Sequence, residues 1–432
     1  MIEPKAAREN EKGEEKRGAF RGLRPCLYVF FLACLPISAA AAKYGGGTGT
    51  TQTPFLIYTA EDFKTIGDSP ADWDKQFKLM RDIDLADYNE VTLHMIGQYV
   101  GLGAFGNRPF NGIFDGNRKS ISNFRYRNMG QEYVGLFQHV TGEIRDLKLV
   151  RPVVVGDKSG TGALVGYLER GGLIRCTATD VSVSGNFSVG GLVGLADGAV
   201  STSCSDGTVF GIRFVGGLIG QIGKGVAVKS YSKAQVAGTD SVGGLVGMTG
   251  LVESIVDSCY ARGDVKGTVY VAGLVGQVSA GRVFRCYSTG KVTGDQSPGG
   301  LVGYQRALAQ VIGSLWDTQT SKQAKSVGGT GKTTAEMKSM DTFLAMNWDF
   351  FNTWTICEGI NYPVFLWQIP PGDLVCPDGV NFRDFAWFAV NWRHRNCGAA
   401  NLNCDGTDLD KSGSVEFRDL AIFAENWLAG VE

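Results

Sequence analysis

The sequence predicts a mainly β fold, a parallel β-helix of ~27-residue coils, followed by a small α-helical module. Seven glycine-rich blocks carry the first half of that prediction: VGLFQ (134–138), GALVG (162–166), GGLVG (190–194), GGLIG (216–220), GGLVG (243–247), AGLVG (272–276) and GGLVG (299–303). Their central leucines, Leu136, Leu164, Leu192, Leu218, Leu245, Leu274 and Leu301, step by 28, 28, 26, 27, 29 and 27 residues. A second pattern recurs between blocks, as in IRCTATDVSVSG (174–185), VDSCYARGDVKG (256–267) and FRCYSTGKVTG (284–294). The third observation is a duplication near the C-terminus: NFRDFAWFAVNW (381–392) returns as EFRDLAIFAENW (416–427) at an offset of 35, with eight of twelve positions matching.

Along the chain, residues 1–42 have the marks of an export signal. Arg17, Arg21 and Arg24 precede an apolar run, 27–37, that is too short to span a bilayer, and Ser38-Ala39-Ala40-Ala41-Ala42 offers a cleavage site after Ala42. No later segment reaches the ~20 apolar residues of a membrane helix. Residues 43–54 read as a linker and 55–130 as an N-terminal cap with the first coils. Thr59 there is a candidate helix N-cap with Asp62 at N3, and FNGIFDGNRKSISNF shows strand alternation with a DG or GN turn. Asp82, Asp84 and Asp115 read as solvated turn residues rather than as a glycosidase carboxylate pair.

Residues 131–305 form the repeat. Each unit reads as three short β-type runs parted by glycine or polar turns, a length that closes one turn of a three-sided coil at ~3.3 Å per residue. The glycines permit sharp corners and close backbone approach, and valine and leucine point inward. Cys176, Cys204, Cys259 and Cys286, with Ser230, are expected at one buried repeat position, as an internal ladder or as bridges Cys176–Cys204 or Cys259–Cys286.

Residues 306–370 are expected to close the stack, with the aromatic run WDFFNTWTICEGINYPVFLWQ covering its apolar end. The stretch SVGGTGKTTAEM approximates a phosphate-binding loop, but Ser326 stands where glycine is required, so no nucleotide is expected. The net charge of −1 argues against a nucleic-acid partner, and only three histidines, His94, His139 and His394, argue against histidine-based catalysis.

Residues 371–432 carry 10 acidic and 5 basic side chains. Their second half contains a calcium loop by spacing: oxygen-bearing Asp408, Asp410, Ser412, Glu416 and Asp419 at positions 1, 3, 5, 9 and 12, Gly413 at the sharp turn, and the Ser414 carbonyl at position 7. A hard cation needs six to eight oxygens, and this spacing wraps them round one point. The first half keeps Asp373, Asn381 and Asp384, but Val375 and Pro377 replace ligands and Asp378 replaces the glycine, so weak binding or none is expected there. Phe417, Leu420, Ala421, Ala424, Trp427 and Leu428 form the expected apolar face of its helix. Cys357, Cys376, Cys397 and Cys404 allow three pairings.

The repeat resembles the GLUG motif of secreted bacterial proteins, including some large peptidases and adhesin-like surface proteins. That resemblance implies an accessory module with no catalytic residues. The tail, loop followed directly by helix with aspartate at position 12, resembles a dockerin. It implies calcium as cofactor and docking to a cohesin-like or cell-surface protein, although Phe417-Arg418 and Phe382-Arg383 depart from the hydroxyl residues usual at the recognition positions. The whole arrangement is similar to large secreted proteins of planctomycete-type bacteria. It implies a secreted or cell-surface, non-enzymatic scaffold. The alternative is a polysaccharide-active lyase or hydrolase on a β-helix, with a polysaccharide as its partner.

Overall fold

A computed structural model describes residues 43–430 except 102, 104, 297, 399 and 400; the export signal expected over residues 1–42 lies outside the described residues. The chain is mainly β, a parallel solenoid of about seven turns. One seven-stranded sheet takes a strand from each glycine block: Phe137–Val140, Val165–Leu168, Val193–Ala196, Ile219–Ile222, Val246–Thr249, Val275–Val278 and Val302–Gln305. Neighbouring strands pair in parallel with the register of the repeat, Val165 on Val193, Val193 on Ile219 and Ile219 on Val246. The other strands of the coils join a second sheet along the remaining flanks.

Most turns have four strands, and the turn over residues 226–249 has five, not the three expected. One turn runs Gly172–Ile174, Thr177–Ser184, Phe187–Gly190 and Val193–Ala196. The glycine block is not a strand but the two-residue turn that joins the sheets. One strand ends on its first glycine and the next begins after its leucine. The reason lies in close approach. A Cβ at Gly190 would collide with the Val193 carbonyl and come within 2.6 Å of the Gly220 nitrogen, and one at Gly220 would strike the backbone of Ser188 and Val189. Backbone thus lies directly on backbone where the two sheets meet. The leucines between them are buried, and their peptides bond coil to coil: Leu192 N donates to Leu218 O at 2.9 Å and Leu218 N to Leu245 O at 2.9 Å.

A second corner is built from single left-handed residues. Asp146, Arg175, Thr202, Lys229, Ser258 and Arg285 all have φ between 45° and 53°. Such a conformation costs roughly 1–2 kcal/mol for a residue with a Cβ. After Asp146 comes Leu147, but each of the other five is followed by a small side chain, and these, with Ser314 after left-handed Gly313, form the ladder Cys176, Ser203, Ser230, Cys259, Cys286, Ser314. The serine rungs each answer a buried N–H in the coil before: Cys176 N donates to Ser203 Oγ, Ser203 N to Ser230 Oγ and Cys286 N to Ser314 Oγ, all at 3.1 Å. Cys204 is not a rung. It lies one residue on, paired with Thr177 and Tyr231, and Ser203 holds the expected place. All four ladder-region cysteines are free and buried, so neither proposed bridge forms.

Both ends differ from expectation. Residues 43–54 are not a linker. Tyr44 is buried against Phe55 and Phe77, and Leu56 N donates to Gly46 O at 2.9 Å, so this segment closes the first coil. The helix Ala60–Gly67 is capped by Thr59 and Asp62 as expected, and buries Phe63 and Ile66 against the same coil. The DG turn is no hairpin: Ile113–Ser122 is one strand bent at Asn117 and Arg118, parallel to Glu143–Val150. At the other end the loop-like stretch closes the stack. Thr330–Lys332 pairs with Leu315–Asp317, and Ser326 Oγ accepts from Val302 N at 2.8 Å.

The aromatic run therefore does not cover the open end. It folds back along the flank, over an outward file of tyrosines. Tyr231 stacks on Tyr260 at 4.7 Å and Tyr260 on Tyr287 at 5.0 Å. Phe343, Trp348, Trp354 and Phe365 cover that file and bury it. Tyr287 Oη donates to Pro363 O at 2.6 Å, and Arg262 reaches the same carbonyl at 3.1 Å. Arg262 is thus part of this clasp.

The contact geometry makes two glycines behave differently. Gly220→Ala, which would place a methyl into the Ser188–Val189 backbone, is expected to cost about 2 kcal/mol. Gly172→Ala, where the nearest atom is the Ala199 carbonyl at 3.5 Å, is expected to be neutral. Urea midpoints of the two variants check this; equal midpoints would refute backbone contact as the reason for the glycine columns.

Candidate metal centre

The tail is two copies of a loop and a helix related by an approximate twofold. The helices are Phe382–Val390 and Phe417–Glu425. Val380 and Val415, both fully buried, occupy equivalent places. Val380 N donates to Ala429 O and Leu428 N to Val380 O, each at 2.9 Å; Val415 N donates to His394 O at 2.9 Å and Arg393 N to Val415 O at 3.1 Å. Phe388 stacks on Phe423 at 5.3 Å between them. The matched phenylalanines and tryptophans pair crosswise, Phe382 on Trp427 at 5.0 Å and Phe417 on Trp392 at 5.3 Å. The duplication in the sequence is the record of this symmetry.

The second loop gathers three carboxylates. Oxygens of Asp408, Asp410 and Asp419 lie within 4.8 Å of one another, with Asp408 3% exposed and Asp419 fully buried. Backbone donors hold them there. Asp408 accepts from Ser412 N and Gly413 N at 3.0 Å each, and Asp419 accepts from Asp410 N at 3.0 Å and Glu416 N at 2.9 Å. Gly413 has φ +94°, the sharp turn the spacing requires. Ser412 Oγ bonds the Ser414 carbonyl at 3.2 Å, while the exposed Glu416 stays outside the trio. Hydrogen bonds from Ser412 lower the Asp410 carboxyl from its ordinary value.

The first loop brings together Asp373, Asp378 and Asp384. Asp378 was missed in the sequence because an offset of 35 sets it on the glycine position. The turn is instead made one residue later, at Gly379 with φ +93°. Asn381 spends its Oδ1 on Arg383 N at 2.8 Å, capping the helix, and its amide nitrogen on Asp378 at 3.0 Å. Asp384 accepts from Leu374 N, Val375 N and Asn381 N. Asp373 Oδ1 is buried without a hydrogen-bond partner, and burial beside Asp384 and Asp378 pushes its carboxyl up to about 7.

The four tail cysteines pair as Cys357–Cys376 and Cys397–Cys404. The first staples this loop to the clasp, where Asn361 Nδ2 also donates to Pro377 O at 2.7 Å. The expected helix face is corrected. Phe417 is 77% exposed and Leu428 58%, while Phe423 is buried. Asp419 must face the loop, and the residue one turn on, Phe423, shares its side.

Elsewhere the sequence candidates have structural roles. Asp82 accepts from Ser120 N at 2.7 Å, a bond to a distant strand, while Asp84 accepts from Ala86 N at 2.9 Å and Asp115 from Asn117 N at 2.8 Å, each closing a turn. Buried His139 bonds Glu169 at 2.7 Å and stacks on Tyr167. Burial pushes the Cys176 thiol up to about 12 and Cys204 up to about 11, far from a nucleophilic thiolate.

No family model matches the chain. It is similar to halomucin of Haloquadratum walsbyi, 29% identical over 258 residues, a match that covers 50% of this chain and 3% of halomucin. Among solved structures it is similar to a candidate immunoglobulin A1 protease from Bacteroides ovatus, at 21% identity and TM-score 0.49, over 76% of this chain and 96% of that one. A second similar structure is an IgA1 protease, at 15% identity and TM-score 0.44, over 69% of this chain and 25% of that one.

Proposed function

We propose that the chain is an exported, non-enzymatic scaffold: a rigid β-solenoid of the GLUG type whose dockerin-like tail binds calcium and docks a cohesin-like or cell-surface protein. The observation that carries the reading is the trio Asp408, Asp410 and Asp419. Three carboxylates within 4.8 Å repel one another, and a hard divalent cation offsets that repulsion. Asp408, Asp410, Ser412, Asp419 and the Ser414 carbonyl would hold it, with Glu416 reaching it directly or through water. The cation supplies loop closure, not chemistry. Two disulfides suit an oxidising compartment, and among the described residues no helix is long and apolar enough to cross a membrane. Docking is supported by the apolar side chains the tail leaves uncovered, Phe382, Val390, Phe417 and Leu428 foremost.

The first loop is the weaker site in this reading. It lacks oxygens at Val375 and Pro377 and holds Asp373 near neutrality. Calorimetric titration of the full chain with calcium is expected to show one dominant site, abolished in Asp408→Ala. Two sites of equal affinity would refute it. A pull-down from the native secretome is expected to lose its partner in chelator. Depolymerisation of a polysaccharide panel by the purified chain would sink the non-enzymatic part.

The raised Asp373 carboxyl has a consequence for stability once metal is removed. Folded protein keeps the proton up to about pH 7, whereas the unfolded chain releases it near its ordinary 3.8. The contribution is therefore most favourable at low pH and is lost as pH rises from about 4 to 7. In chelator, Asp373→Asn is expected to raise the melting temperature at pH 8 more than at pH 5. An equal change at both pH values would refute the assignment.

A further inference from the structure

We infer that the flank of the early coils binds an acidic polysaccharide, in a groove walled by Trp367. Its volume is about 490 Å³, and it runs across the left-handed corner from Arg118 through Lys148 and Arg175 to Thr202.

The floor spans four successive coils, set by the parallel pairing of Ser120 on Lys148, Lys148 on Thr177 and Thr177 on Cys204. At ~4.8 Å per coil it is long enough for a run of sugar units rather than one. Arg118, Lys148 and Arg175 are exposed cations on this floor. Asp146 is the one acidic group lining it, and it binds Arg175 through two hydrogen bonds, at 2.6 and 2.7 Å. Arg118 and Lys148 leave the groove a positive surplus, which suits carboxylate or sulfate groups. Thr177 and Thr202 add hydroxyls. Trp367 stacks on Tyr231 at 5.8 Å and so extends the tyrosine file, yet stays 38% exposed. A rigid indole beside cations and hydroxyls suits the apolar face of a sugar ring better than a flexible acidic peptide. This goes beyond the proposed calcium-dependent docking and shares no residue with it.

The test uses the full chain in EDTA, so that the outcome is independent of the calcium loop. Polygalacturonate and chondroitin sulfate separate carboxylate from sulfate recognition; dextran and poly-glutamate are the comparisons. We expect one or both acidic glycans to bind, dextran and poly-glutamate not to, and affinity to fall about tenfold in Lys148→Glu and in Trp367→Ala. Arg118→Ala, an exposed change that leaves the clasp intact, is expected to weaken binding too. Failure of both glycans to bind, equal binding of poly-glutamate, or unchanged affinity in Lys148→Glu and Arg118→Ala would overturn the inference.

Discussion

The contact on which the rest of the molecule depends is backbone against backbone at the glycine columns. Two parallel sheets meet there at a distance that no Cβ tolerates, at Gly190, Gly194 and Gly220 alike. Because each turn must return to the same contact, coil length is held between 26 and 29 residues and the register passes unchanged from copy to copy. The inward leucine follows from the same geometry. It is the one side chain of the turn with room, on the side away from the contact, and it is buried in all seven copies. The left-handed corners are the compensating strain. Their cost is offset by the serine rungs that satisfy N–H groups the corners turn inward.

A stack of identical turns has two unpaired edges and no natural stop. The chain solves this with unlike devices: Tyr44 and the helix Ala60–Gly67 at one end, the strand Thr330–Lys332 at the other. That leaves the aromatic clasp free for the flank. Its tyrosine file is a product of the repeat, since one tyrosine per coil at one position must stack at the coil spacing. The clasp turns that file into an anchor, and Cys357–Cys376 carries the anchor on into the tail. The tail is therefore fixed to the solenoid through a covalent bond rather than by an open linker.

What could be read from the residues depended on whether the pattern named a partner. The period named one, the next copy, so the parallel pairing and buried leucines were legible. The extra strands per turn were not, because glycine reads equally as strand interior and as turn. Cys204 misled because residue type was weighed above spacing: Ser203 stands 27 residues from Cys176 and Ser230. The aromatic run announced burial but not against what. In the second tail helix Phe417, Leu420, Ala421, Ile422, Phe423 and Ala424 make nearly every face apolar, so periodicity could not choose one; the ligand-like Asp419 does. Asp378 was hidden by a one-residue shift of the turning glycine.

The symmetry of the tail bears on how the two loops would act together. Val380 and Val415 each accept and donate a bond to the chain leaving the other helix, so each loop's end is tied to the opposite helix. A cation drawing Asp408 and Asp419 together would tighten the second loop at Val415, and through Arg393 and His394 the exit of the first helix. The first loop is already held by other means, a disulfide at Cys376 and three backbone donors on Asp384. In the proposed reading the first loop is fastened to the clasp at Cys376, and the second is the loop an ion would close. Phe417, which directly follows Glu416 of that loop, is open to solvent, so on that reading the second loop is the place where calcium would be felt by a partner.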